Sequence, residues 1–211
     1  MRKLTKGKAT KIILQVKFTV VSLLFLLLYL LLPSPSMADT PTEQLRATIE
    51  KVLAILSNST LKSKAQQQER RSQLARAIYP RFDFTEMAKR SLGSHWGDRT
   101  PEEQREFVII FAGLLGRSYV GNIESYSNDK IVYAREVTET NYAEVNTNIL
   151  GGKNQELSIN YKLHLVDEDW KVYDIVVDNI SLVNNYRSQF HRVIVQSSFE
   201  DLVRRMKEKQ S

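Results

Sequence analysis

Three histidines, His95, His164 and His191, are the side chains of this 211-residue sequence best suited to acid–base or metal chemistry. They stand far apart along the chain without metal-ligand spacing, and no cysteine is present to complete a site. Asp167-Glu168-Asp169 offers carboxylates to a calcium ion but lacks the further ligands of a calcium loop. It falls where two strands need a turn, which is the simpler role. Asp83, between Phe82 and Phe84 at the start of a helical stretch, reads as an N-cap. Asp174, on an apolar strand, needs a partner such as an arginine or a backbone amide. No phosphate loop, Gly-x-Ser-x-Gly elbow or His-Glu-x-x-His pair occurs. These residues amount to no catalytic constellation, so no enzymatic activity, metal or cofactor is expected.

What the sequence offers in quantity is amphipathic structure. Thr40 to Leu56 carries Leu45, Ile49, Val52, Leu53 and Leu56 on one helical face. A turn at Ser57 to Thr60 precedes a second helix, through Ile78, whose thin apolar stripe marks it as an outer, solvated helix. Phe82-Asp83-Phe84 opens a short helix with Gly93 as its C-cap. Thr100-Pro101-Glu102-Glu103 is a capping box with proline at the first helical position. The helix it starts has a broad apolar face of Phe107, Ile110, Phe111, Leu114, Leu115 and Tyr119. Gly113 and Gly116 lie inside it, either to let a neighbour pack closely or to leave room for something that is not protein.

Strict alternation follows. Leu157, Ile159, Tyr161, Leu163 and Leu165 share one face of a strand, and Trp170 to Val177 forms the next, with apolar residues on both faces. Lys130 to Val137 and Tyr142 to Leu150 make an upstream pair. The expected fold is α+β: a four-stranded antiparallel meander whose apolar face is covered by several helices, with an apolar cavity between. Ser181 caps a last helical region containing Tyr186 and Phe190, and an amphipathic tail through Met206 closes the chain.

The first 38 residues differ from the rest. They hold six of the 30 Lys and Arg residues and none of the 24 Asp and Glu residues, so residues 39–211 have 24 charges of each sign. The folded part has no net basic field, which excludes nucleic-acid binding by charge. Phe18 to Leu32 is a 15-residue apolar run between a basic segment and Ser36-Met37-Ala38. That is the three-part pattern of a secretory signal, cleaved after Ala38, with a single domain over 39–211 in the periplasm. An uncleaved anchor is the alternative, but a span needs about 20 residues.

Several blocks resemble the MlaC family of periplasmic phospholipid carriers, also known as toluene-tolerance proteins. They are Phe82 to Ala88, Leu92-Gly93 with Trp96, Thr100 to Arg105 with Phe107 and Phe111, Trp170 to Ile175, Ile180 to Val183, Tyr186-Arg187 and Gln189-Phe190. One departure is Asp178-Asn179, where the family usually has Glu-Gly. The resemblance implies a non-enzymatic shuttle that holds acyl chains between a twisted antiparallel sheet and helices. It also implies two partners, an outer-membrane lipoprotein complex and an inner-membrane ABC transporter with a lipid-binding ring protein. A hopanoid-associated relative shares the fold, so another apolar ligand is an alternative. So are an enzyme with a polar pocket and a protein-interaction module with a full core. On the lead reading the acyl chains lie between the Phe107 to Tyr119 helix and Ile159, Tyr161, Leu163 and Val172. Phe84, Met87, Tyr186 and Phe190 close the sides.

Overall fold

The computed structural model describes residues 39–125, 130–151 and 156–209. The expected leader, residues 1–38, lies outside the described residues. Helix α1 (Pro41–Ser57) begins at a reciprocal box in which Thr40 accepts from the Glu43 amide and Glu43 accepts from the Thr40 amide. Two 3₁₀ turns lead to α2 (Gln67–Ile78), which buries Leu74 alone. A further 3₁₀ turn, Tyr79–Arg81, precedes α3 (Phe84–Leu92), capped by Asp83. Gly93 ends α3 at φ +58°, a conformation that calls for glycine, and a Cβ there would stand 2.7 Å from Nε of the exposed Arg187 side chain, which would have to shift. Helix α4 (Pro101–Glu124) starts at the Thr100–Glu103 box.

The sheet is a meander of β1 (Lys130–Glu139), β2 (Tyr142–Leu150), β3 (Glu156–Val166) and β4 (Asp169–Val177), all antiparallel. The expected four strands gain a fifth, β5 (Ile180–Ser181), paired to the end of β4. Asp167-Glu168 and Asp178-Asn179 all have positive φ, the conformation of a tight two-residue hairpin turn. Asp167 and Glu168 of the acidic triplet are therefore the turn, and Asp169 opens β4. Helices α5 (Leu182–Gln196) and α6 (Phe199–Glu208) follow, capped by Ser181 and Ser198.

Two apolar clusters hold this together. In the first, α3, α4, α5 and α6 enclose Phe107, Phe111, Phe190 and Phe199, whose rings meet in pairs 5.6–5.9 Å apart. In the second, Leu45 of α1 covers Ala143, Val145, Leu163, Trp170 and Val172 of the sheet. Phe82 packs against both, running beside β4 with the Asp83 amide donating to the Val172 carbonyl at 2.9 Å. Arg81 pins α1 to the sheet. Its guanidinium donates to Gln44 Oε1 at 2.6 Å, to the Trp170 carbonyl at 2.7 Å and to Thr48 Oγ1 at 3.2 Å. Burial pulls the Arg81 pKa down, which nearby Asp169 partly opposes.

Candidate lipid-binding face

The strand register places one side chain per strand in each row of the inner face. From the end under α1 outward, the rows are Ala143–Leu163–Val172, then Val145–Tyr161–Ile175, then Tyr133–Thr147–Ile159–Val177–Ile180, then Ile131–Ile149–Leu157. The first row is fully buried beneath α1. Beyond Val145 the rows open to either side of Thr147, which is itself fully buried. Ile131, Tyr133, Ile149, Ile159, Tyr161 and Ile175 are half-buried, while Leu157 and Val177 are 36 % exposed and Ile180 is 65 % exposed. The same sheet face is thus dry core at one end and accessible apolar surface at the other.

Tyr161 is the informative residue. Burial pushes its hydroxyl up to about 12, so protein surrounds it, yet part of its surface remains accessible.

A β-bulge explains why Trp170 to Val177 looks apolar on both sides. The register against β3 slips between Lys162 and Leu163, so Trp170 and Val172 share the inner face with Ile175 and Val177. The extra residue, Tyr173, turns to the opposite face, where its ring meets those of Tyr142 and His164.

Helix α2 lies antiparallel to the outer half of α4. The Tyr79 hydroxyl stands 2.9 Å from where a Gly116 Cβ would be, and Arg70 and Arg71 both grip Glu124 through four N–H donors at 2.8–3.3 Å. Eight or nine residues separate these two contacts on one partner and eight on the other. Gly116 therefore admits a neighbouring side chain, the close-packing role of the two considered. The two arginines hold the Glu124 carboxyl below the usual range, against the opposing effect of its burial. On the same helix, burial beside the Tyr186 hydroxyl pushes Tyr119 up to about 12.

Of the fourteen lining residues expected from the sequence, Met87, Phe107, Ile110, Phe111, Leu114, Leu115 and Phe190 sit in the closed helical cluster. Leu163 and Val172 belong to the closed cluster under α1. Phe84, Ile159, Tyr161 and Tyr186 are half-buried, and Tyr119 is 36 % exposed. The same open face also carries Ile131, Tyr133, Ile149, Ile175 and Val177, which were not among the expected residues. Alternation in Tyr142 to Leu150 marks Ile149, whereas Ile175 and Val177 were hidden by the bulge.

The polar candidates have structural partners. Asp83 caps α3 through Oδ1 and contacts His164 Nε2 through Oδ2 at 3.1 Å. Asp174 accepts from Ser181 Oγ at 2.6 Å and from the Val183 amide at 3.0 Å, anchoring the start of α5. The histidines are less scattered than the sequence suggested, because His95 Nε2 and His191 Nδ1 meet at 3.0 Å. No group of three potential metal ligands occurs among the described residues.

Comparison with known proteins agrees with this architecture. The chain is 24 % identical to a phospholipid-binding protein from Ralstonia solanacearum whose structure was solved in complex with a phospholipid. The two superpose with a TM-score of 0.73 over 82 % of this chain and 97 % of the other. The intermembrane phospholipid transport system binding protein MlaC of Haemophilus influenzae is 20 % identical over 205 residues, 94 % of this chain and 96 % of that protein. The toluene tolerance protein ttg2D of Pseudomonas putida is 24 % identical over 155 residues, 72 % of each chain. The family described as MlaC protein matches residues 46–208, and the chain belongs to that family.

Proposed function

We propose that this protein carries phospholipid through the periplasm, with the acyl chains laid on the open half of the inner sheet face. The observation that supports this most is the change along that one face, from side chains sealed by α1 to Ile159, Tyr161, Ile175 and Val177, which protein leaves accessible. Transfer of a chain from water to such a surface is worth about 0.8 kcal/mol per CH₂, which is why a two-chain lipid needs a carrier to cross an aqueous compartment. The relatives named for phospholipid binding and transport supply the ligand class. Export with cleavage after Ala38 fits this role. So does exchange with an inner-membrane ABC transporter carrying a lipid-binding ring protein and with an outer-membrane lipoprotein complex. Equal numbers of each charge over residues 39–211 suit docking to proteins rather than electrostatic retention on anionic membranes.

Delipidated protein incubated with sedimentable phosphatidylethanolamine vesicles is expected to retain phospholipid in the supernatant at near one lipid per protein. A lipid-free supernatant containing folded protein would contradict carriage. Uptake of a hopanoid but not of phospholipid would reassign the ligand.

A further inference from the structure

Helices α1 and α2 pack side by side as one arm, and its cross-links to the sheet sit in the first half of α1. The Gln44 side chain bonds the Glu168 carbonyl at 3.3 Å and the Trp170 amide at 3.0 Å. The Thr42 amide donates to Glu136 at 2.8 Å, and the Arg46 guanidinium lies 4.1 Å from the centre of the Tyr133 ring. Both ends of the arm meet there, because Arg81, in the turn after α2, bonds Gln44 and Thr48. Further along α1, Val52, Leu53 and Leu56 are half-buried and belong to neither apolar cluster. Helix α2 buries only Leu74, and Gln73 and Arg76 spend their side-chain bonds on Glu69 of the same helix. Its far end is fastened by charge. Arg70 places two donors on one oxygen of Glu124 and Arg71 two on the other, and the Glu124 side chain is 10 % exposed. An enclosed ion pair gains little net stability, because lost hydration offsets the attraction, and apolar side chains of similar volume would hold two helices more firmly. What the charges offer is a contact that parts easily, since water solvates both sides once they separate.

We propose that Glu124, Arg70 and Arg71 form an ionic latch that holds the arm over the open half of the sheet face and sets the rate of lipid exchange. This rests on the acyl-chain reading above. The arm pivots at its tied end, around Arg81, and its free end carries Val52, Leu53 and Leu56 as a wall for the acyl chains. The three charged residues touch no lipid. They position the arm, so their loss changes how fast lipid enters and leaves rather than whether the domain folds.

The test measures transfer of a fluorescent phosphatidylethanolamine from loaded protein to excess phosphatidylcholine vesicles. Glu124→Gln keeps the shape of the side chain and removes its charge. It is expected to release lipid about tenfold faster than the unsubstituted protein, which is ~1.4 kcal/mol. Its melting midpoint should stay within a few degrees. The converse variant joins the two helices covalently, through Arg71→Cys and Glu124→Cys in a chain that has no other cysteine. With free thiols it should release lipid as fast as Glu124→Gln. Once a short bismaleimide bridges the thiols, release should be far slower than from the unsubstituted protein. Release that Glu124→Gln leaves unchanged, or that the bridge does not slow, would overturn the latch. So would a midpoint far below that of the unsubstituted protein, since the pair would then be holding the fold. Failure of the unsubstituted protein to take up lipid would instead remove the carriage reading, and the latch with it.

Discussion

Phe111→Ala is expected to destabilise the fold by about 3–5 kcal/mol, a large part of the ~5–15 kcal/mol that holds a domain of this size. Phe111 is fully buried, and its ring meets Phe107 at 5.9 Å, Phe190 at 5.6 Å and Tyr186 at 5.2 Å. Truncation removes the packing of α4 against α5 in a single step, and neighbours that are themselves rigid rings close the void poorly. Denaturant melts should show the midpoint falling sharply while the slope stays constant. A loss below 1 kcal/mol would mean that the cluster is looser than its ring geometry shows.

The second large effect separates the two halves of the sheet face. Leu163 and Ile159 lie on the same side of β3, four residues apart, and by sequence pattern they are equivalent. Leu163 is fully buried under α1, so Leu163→Asp places an unpaired charge in dry core and should leave little folded protein. Ile159 keeps accessible surface, so water solvates the carboxylate of Ile159→Asp in the ligand-free protein. That variant should melt within a few degrees of the unsubstituted protein and lose nearly all of its bound lipid. Circular dichroism and quantified lipid extraction of both variants check this. Unfolding of Ile159→Asp, or full lipid occupancy in it, would contradict the division of the face.

This contrast also shows how far the sequence could be read. Helix starts were legible because they rest on local chemistry: Thr40 with Glu43, Thr100 with Glu103, Asp83 and Ser181 each bond within three residues. The strands were legible because alternation has a short period, and the turn at Asp167-Glu168 was legible from composition. The boundary between sealed and open face was not. It depends on how far α1 reaches across the sheet, a tertiary fact that leaves Leu163 and Ile159 looking alike in the sequence. The same holds for α4, whose broad apolar stripe is largely occupied by α3, α5 and α6. A bulge of one residue hid Ile175 and Val177 by breaking the alternation that reveals a strand's faces. The His95–His191 contact joins positions 96 residues apart, and no spacing rule reaches that far.

The central claim, that the open half of the sheet face receives acyl chains, is tested most directly by a phospholipid bearing a photoactivatable diazirine along one chain. After loading, irradiation and proteolysis, the labelled peptides identify the side chains that the acyl chain touches. Labels are expected on β2, β3 and β4 at Ile149, Ile159, Ile175 and Val177, with Phe107, Phe111 and Phe190 unlabelled. Label confined to α3, α5 and α6, or spread over the outer strand face around Tyr142 and Tyr173, would contradict it.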